Sequence, residues 1–283
     1  MIAIFKATLK ETFRKKTFAV MGVIAVLFFI LWSLLLHYGL HMGMHFKGNL
    51  SDVADYLMTI MGLQFSSMLL ALFTIMLSSG AISSDLETGL VHGIISRPIR
   101  RFEYVLGKLT GLALMTAIVS TVFYALILII GRISNLSTIT VLTVWQVIGG
   151  WLLFMTVPLA VLCLTLWGSV KFKTISNGII MIFIFILGLI GGMVEMVGQL
   201  LNSVNINSGG IFLSLVSPFH MLYITCQNFL LPSSNITQNI AQFAGGLTGS
   251  GAPPSIWMYI YTAVYVVAFV LLAFRNFSRK DIT

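Results

Sequence analysis

The stretch LMTIMGLQFSSMLLALFTIMLSSGAI, from Leu57 to Ile82, contains no Asp, Glu, Lys or Arg. About 20 predominantly apolar residues are enough for an α-helix to cross the hydrocarbon core of a bilayer, so this stretch predicts a membrane-spanning helix. Five further stretches are similarly apolar: Phe18–Leu36, Leu109–Ile130, Val144–Trp167, Ile175–Val197 and Trp257–Phe274. The sequence therefore predicts an all-α polytopic membrane protein with six spans, in which residues 1–283 form a single transmembrane domain.

The overall composition excludes a soluble protein. Of the 283 residues, 58% are hydrophobic and 8% are charged, and the mean hydropathy is +1.01. The apolar runs are continuous and long enough for helices, and they lack the alternation typical of a membrane β-barrel. The two cysteines, Cys163 and Cys226, are too few for a disulfide framework. No basic soluble module is available to bind nucleic acid.

The distribution of Lys and Arg predicts the orientation, because positive residues are retained on the cytoplasmic side. If the N-terminus is cytoplasmic, only Lys47 and Arg132 of the 16 basic residues lie outside. We therefore expect a multi-pass protein of the cell membrane with both termini in the cytoplasm. The formal charge of +8 then reflects contact with anionic lipid headgroups.

Two segments outside the spans have their own character. Residues 1–17 alternate apolar and basic side chains, which predicts an amphipathic helix at the membrane interface. Residues 198–256 form an external segment without any charged residue, and Ile211–Leu231 is almost apolar enough to be a seventh span. A seventh crossing would place the basic C-terminus outside, so we favour a re-entrant or interfacial helix pair, which is tolerated where it is buried in protein.

The charged segment between the second and third spans is SSDLETGLVHGIISRPIRR, Ser83–Arg101. Ser84 and Glu87 have the spacing of a capping box, apolar residues recur at helical spacing, and Pro98 disfavours helix at Arg97. These signals predict an amphipathic helix over residues 84–97. A plain cytoplasmic loop is the alternative.

The longer stretch AISSDLETGLVHGIISRPIRRFEYVLGKLTG, Ala81–Gly111, closely resembles the corresponding loop in permeases of the type-2 ABC exporter class. The layout of the whole chain is also similar to that class, most of all to its NosY-type and antibiotic-resistance-type members. The resemblance implies that residues 84–97 form a coupling helix, which transmits movement of an ATPase subunit to the spans. At matching positions, it assigns the ATPase contact to Asp85, Glu87, Gly89, Arg97 and Pro98.

The chain contains no phosphate-cradling G-x-x-x-x-G-K-[ST] motif. We therefore expect no cofactor on this chain and no enzymatic activity of its own, with ATP and Mg²⁺ bound by a separate ATPase subunit. The resemblance also implies that six spans form half of a transport pathway. The expected assembly thus contains two ATPase subunits and a second permease protomer, identical or paralogous.

Candidate residues within the spans are few. The resemblance implies that the second and fifth spans line the pathway, which makes Gln64, Ser67 and Glu195 candidates for substrate contact. Glu195 is the only acidic residue within the apolar spans and is either functional or a water-facing helix terminus. Gly188 and Gly192 allow another helix to approach closely, in the same chain or in a partner. The uncharged external segment favours a hydrophobic or amphipathic substrate such as a lipid, peptide or drug.

His37, His41 and His45 recur at four-residue spacing, with methionines between them. On a continuous helix, the three imidazoles would share one face, and imidazole with thioether suits Cu(I). The alternative is three interfacial histidines without a ligand. A copper site would favour a permease for copper- or sulfur-related metalloenzyme maturation, whereas a carrier driven by an ion gradient usually has more spans.

Overall fold

The computed structural model describes residues 2–42, 49–89, 101–201, 203–230 and 256–279. These residues form helices and short connections, and no strand occurs among them. The helices are α1 (Ile2–Arg14), α2 (Lys16–Met42), α3 (Asn49–Ser78), α4 (Ser83–Glu87), α5 (Arg101–Ile133), α6 (Ser137–Thr140), α7 (Val144–Lys171), α8 (Thr174–Leu200), α9 (Val204–Val216), α10 (Phe219–Leu230) and α11 (Ile256–Ser278).

Six stretches of the described residues are long and apolar enough to cross a membrane, as predicted: Lys16–Tyr38, Ala54–Glu87, Arg101–Ile133, Val144–Lys171, Thr174–Glu195 and Ile256–Ser278. Each contains most or all of one predicted run. The helices extend beyond the apolar runs; α5, for example, has 33 residues, or about 50 Å, against a hydrocarbon core of about 30 Å. The all-α, six-span architecture is therefore confirmed.

Helix α3 lies at the centre of the bundle and is the most enclosed of these six spans, while α11 is the least. The main hydrophobic core joins α3 to α5, α7, α8 and α10 through side chains such as Leu63, Leu70, Phe154 and Tyr223. A second apolar cluster, around Leu77, Tyr104 and Phe277, lies where α1, α4, the start of α5 and the end of α11 meet. We call this end of the bundle the basic end.

Helices α9 and α10 fold back into the bundle at the opposite end. The α9 helix packs antiparallel along α8, with Gly198 beside Asn207 and Gly188 beside Ser217. The contact thus advances ten residues along α8, or about 15 Å, which is half the hydrocarbon thickness. The chain then bends by 99° between α9 and α10.

The contacts of α10 show that it returns towards the same end of the bundle. Phe219 stacks against Phe185 in the middle of α8, whereas Cys226 donates to the carbonyl oxygen of Gly150, near the start of α7 (3.4 Å). The pair therefore enters along α8 and leaves along α7, which is the path of a re-entrant pair rather than of a seventh span. Residues 231–255, the remainder of the uncharged segment, lie outside the described part of the chain.

The predicted amphipathic helix is present as α1, and its inward face contacts protein. Thr8 and Thr12 are buried, and Thr8 lies against Gly111 of α5. Lys6 and Lys10 are exposed on the other face. The α1 helix is therefore a packed part of the basic end.

Candidate functional site

A paired cluster of charges joins three helices at the basic end. Nζ of Lys108, on α5, lies 2.8 Å from Oδ2 of Asp85 on α4 and 3.0 Å from Oε2 of Glu11 on α1. The hydroxyl of Tyr104 donates to the same oxygen of Asp85 at 2.5 Å. We call Glu11, Asp85, Tyr104 and Lys108 the junction cluster.

Burial makes these contacts necessary. The side chains of Lys108 and Asp85 are only 6% and 8% exposed, and a charge removed from water must be paired to be tolerated. Lys108 lies in the second turn of a membrane-spanning helix, where a cation without a partner would be costly. One ammonium therefore fixes the position of α4 and α1 relative to α5.

Glu11 is the solvent-facing member of the junction cluster. Its side chain is 39% exposed, and Lys15 approaches its second carboxylate oxygen at 2.9 Å. Partial burial raises the pKa of Glu11, but the nearby charges of Lys108 and Lys15 outweigh burial and lower the pKa below its usual 4.5. Glu11 is consequently charged at neutral pH and holds two lysines together.

The structure places Asp85 in the interior, below the surface of the basic end; the ATPase-contact region predicted to include this residue stays a prediction. The carboxylate is covered and already accepts from Tyr104 and Lys108. Within this chain, Asp85 connects α4 to α5.

Glu87 is exposed on the surface of the basic end. Its Oε1 accepts a hydrogen bond from the backbone N–H of Thr174, the first residue of α8, at 3.0 Å. The first N–H groups of a helix have no partner within the helix, and a carboxylate at that position is favoured by the helix dipole. Glu87 therefore caps α8 while its carboxylate remains at the surface.

The predicted capping box of Ser84 and Glu87 is wrong. The helix α4 begins one residue earlier, its N-cap is Ile82, and no side chain caps it. The N–H of Ser84 is already bonded to the carbonyl oxygen of Gly80 (3.2 Å), because the chain turns there before α4 begins. Ser83 contacts Thr174 through their hydroxyl oxygens (2.9 Å), which adds a second link between α4 and α8.

The predicted helix over residues 84–97 is interrupted. The α4 helix ends at Glu87, and Gly89 adopts a φ of 73°, a left-handed conformation that glycine accepts without steric cost. Residues 90–100, including Arg97 and Pro98, lie outside the described part of the chain. The described part of the predicted coupling segment is therefore a single turn followed by a glycine bend.

The end of α11 completes the basic end. Arg101 donates to the backbone oxygen of Ser278 at 2.9 Å, and the rings of Tyr104 and Phe277 stack with 5.3 Å between centroids. The first turn of α5 thus connects the junction cluster to the last span. Together, α4 contacts α5 and α8 directly, and α5 contacts α1 and α11.

The predicted pathway residues lie in packed interfaces. Glu195 is 3% exposed, and Ser214 of α9 donates to its carboxylate at 3.0 Å, so Glu195 is neither a water-facing terminus nor open to a cavity. Ser67 is 5% exposed. The side-chain oxygen of Gln64 is buried without a hydrogen-bond partner among the described residues. The structure does not bring these three side chains into one open site.

The predicted packing glycines lie against the re-entrant pair. A Cβ at Gly188 would approach Ser217 to between 2.5 and 2.8 Å, and one at Gly192 would overlap the ring of His220. Real Cβ contacts are essentially never shorter than 3.0 Å, so both positions allow close approach of helices within this chain.

The histidine row is only partly described. His37 is exposed near the end of α2, and its ring lies 5.5 Å from that of Tyr38. The side chain of His41 and all of His45 lie outside the described residues, among which no group of three potential metal ligands occurs. The copper site stays a prediction.

Sequence reasoning missed the junction cluster, although one signal was available. Lys108 lies seven residues into α5, and a basic residue inside an apolar helix needs an acidic partner. Of the eight acidic residues in the chain, Glu11 and Asp85 supply that partner. Because Glu11 and Asp85 lie far from Lys108 in the sequence, the sequence alone did not indicate that these residues pair.

Comparison with known families identifies the family to which the chain belongs. The model of the family described as ABC-2 family transporter protein matches residues 2–282, which is nearly the whole chain. No curated protein matches significantly. A match of this extent, on a chain with six apolar helices and a charged junction at one end, shows that the protein belongs to the ABC-2 transporter family.

Proposed function

We propose that this chain is the membrane-spanning subunit of an ABC exporter that moves a hydrophobic or amphipathic substrate outward across the cell membrane. Family membership supports a permease that works with an ABC ATPase subunit. In the proposed assembly, two permease chains bind two ATPase subunits, which hold ATP and Mg²⁺. The basic end faces the cytoplasm, in agreement with the distribution of Lys and Arg.

The observation that carries the proposal is the position of α4. Its surface carboxylate, Glu87, caps α8, while its buried carboxylate, Asp85, is bound to Lys108 of α5. A displacement of α4 by an ATPase therefore acts on two spans at once, and Glu11 extends the effect to α1. Coupling needs such contiguous contacts between the site of energy input and the spans.

The exposed faces of α3 and α8 support a second protomer and an apolar pathway. Phe65 is exposed on α3, and Phe183, Ile190 and Val197 form an exposed apolar stripe on α8, beyond Ile182 in the direction of the opposite end of the bundle. Large exposed apolar surfaces in the membrane face lipid, substrate or another helix. We assign Phe65 and the α8 stripe to the interface with the second protomer and to the substrate path between the protomers.

Substitution of Glu87 tests the coupling role. Glu87→Gln keeps an oxygen that can accept from Thr174 but removes the charge, whereas Glu87→Ala removes both. If Glu87 also contacts a cation on the ATPase, truncation can cost about 2–5 kcal/mol at a desolvated interface. We expect Glu87→Ala to weaken copurification of the ATPase at least tenfold or to uncouple ATP hydrolysis from export, with Glu87→Gln intermediate.

Two controls make this experiment decisive. Lys10→Gln changes an exposed charge on α1 outside these contacts and should leave ATPase binding unchanged. Thermal unfolding of each purified variant separates loss of coupling from loss of fold. Full activity of Glu87→Gln would show that the charge of Glu87 is not needed and that its role is to cap α8. Full ATPase binding and export by Glu87→Ala would contradict the proposed docking at α4.

A further inference from the structure

A groove of about 500 Å³ opens on the bundle surface at the basic end, between the start of α2, the end of α3 and the start of α8. Its volume lies within the range of about 300–1,000 Å³ that is usual for ligand sites. The family match does not assign a role to this groove. Its lining changes from charged and hydroxyl groups at the mouth to aliphatic groups along its length.

The mouth of the groove is basic. Lys15, Lys16 and Thr17 line it from the junction of α1 and α2, and Ser84 and Thr174 line it from α4 and α8. The start of α2 also lies here and contributes the positive end of a helix dipole, whereas the start of α8 is already capped by Glu87. The mouth therefore combines lysine side chains, hydroxyl groups and a helix start, which together suit an anion.

The nearby carboxylates are already engaged. Glu11 is bound to Lys15 and Lys108, and Glu87 accepts from Thr174. Lys16 is exposed and forms no ion pair with a described residue. Lys15 is partly neutralised by Glu11, so Lys16 is the main cation available to an incoming anion.

The length of the groove is apolar. Met76 lines it on α3, and Ile175, Ile179 and Ile182 line it on α8. From Thr174 to Ile182 the α8 wall extends eight residues, or about 12 Å, which is close to the 15 Å or so of one leaflet's hydrocarbon. Gly178 lies between the isoleucines and leaves the wall open at its centre.

We propose that this groove binds one anionic glycerophospholipid of the surrounding membrane. Its phosphate lies between Lys16, Lys15 and the start of α2, and one acyl chain lies along Met76, Ile179 and Ile182. The bound lipid connects the junction of α1 and α2 to α4 and α8. This inference is independent of the direction of transport and of the nature of the exported substrate.

Native mass spectrometry of the full chain in detergent tests the proposal, with phosphatidylglycerol and phosphatidylcholine of identical acyl chains as probes. A basic residue near an anionic surface contributes about a fivefold preference. We expect one phosphatidylglycerol per chain, held at least fivefold more tightly than phosphatidylcholine. Lys16→Gln should remove most of that preference, whereas Lys10→Gln, which removes the same charge from the exposed face of α1, should retain it.

A second pair of variants tests the acyl-chain position. Gly178→Leu fills the groove without steric conflict at Cβ, because the nearest atom, Cβ of Ser79, would be 3.6 Å away. It should weaken binding of both lipids at least fivefold, whereas Gly22→Leu, where nothing lies within 4 Å, should not. Ile179→Cys should form no disulfide between chains.

Several results would overturn the proposal. Equal affinity for the two lipids would exclude an anionic headgroup site, and equal losses with Lys16→Gln and Lys10→Gln would show diffuse attraction to the surface. Unchanged binding by Gly178→Leu would place the acyl chain elsewhere. Efficient cross-linking through Ile179→Cys would show that a second copy of the chain covers the groove.

Discussion

The two ends of the bundle are held together by different physical means. At the basic end, α1, α4 and α5 meet through the ion pairs and hydrogen bonds of the junction cluster. At the opposite end, α8 and α9 meet through glycines, with Gly188 beside Ser217 and Gly191 beside Ser214. Ionic contacts depend on pH and on the partner's charge, whereas close packing depends on shape alone. The ion pairs of the described residues lie at the basic end, so this end is expected to respond most to a change of charge.

Removal of the central cation should have the largest effect. Lys108→Met keeps the approximate length of the side chain but leaves Asp85 buried without its ion-pair partner. Breaking a buried pair in this way costs about 3–5 kcal/mol. We expect the free energy of unfolding, measured by denaturant titration in detergent, to fall by about that amount.

A second variant shows whether charge is the cause. Adding Asp85→Asn to Lys108→Met removes the uncompensated charge and should recover part of the loss. Lys10→Met, at an exposed site on α1, should change stability by no more than about 0.5 kcal/mol. A double variant as unstable as the sum of the single variants would mean that the two side chains do not interact.

A methyl group at the opposite end should have a smaller effect. In Gly188→Ala, the new Cβ would lie between 2.5 and 2.8 Å from atoms of Ser217, so α8 and α9 must move apart. Overpacking of this kind typically costs about 1–3 kcal/mol, and the loss should be independent of pH. Gly178→Ala makes the same substitution on the same helix with ordinary contacts, so it should be nearly neutral. Similar losses for the two variants would contradict the glycine packing described for α8 and α9.

Acid should have the smallest effect, which we expect to act through Glu11 at the basic end. Because the pKa of Glu11 is lower in the folded chain than its usual 4.5, its contribution to stability is complete above that value. The contribution is lost as the pH falls through the folded pKa, since the unfolded state then binds more protons. We expect a modest loss because Glu11 is partly exposed.

Thermal unfolding between pH 6 and pH 3.5 measures this contribution. Glu11→Gln should be less stable than the unmodified chain at pH 6 and should lose less stability on acidification. Parallel pH profiles for the two proteins would show that Glu11 does not gain stability from Lys108 and Lys15.

The same contrast explains what the sequence could predict. The six spans follow from the lengths of apolar runs, which is a local property, and the structure matches all six. The uncharged external segment, and the need for an even number of crossings to keep the basic C-terminus inside, favoured a re-entrant pair. The contacts of Ser217 and Cys226 follow that path. Features that depend on the composition of a single stretch could therefore be predicted from the sequence.

The site depended on contacts between distant residues. Asp85 and Glu87 looked like one exposed acidic patch, but Asp85 pairs with a lysine on α5 and Glu87 caps α8. Glu195 suggested a functional carboxylate because it stands alone in an apolar run, yet Ser214 satisfies it. A single sequence does not specify such partners, because each is chosen by the packing of helices.

The junction cluster also constrains how the chain is assembled during synthesis. Glu11 and Asp85 emerge from the ribosome before Lys108, whose ammonium they share in the finished protein. A nascent chain that stops before residue 108 therefore carries two carboxylates at the membrane boundary without that counter-ion. The contacts that fix α1 and α4 to α5 can therefore form only after the start of α5 has been synthesised.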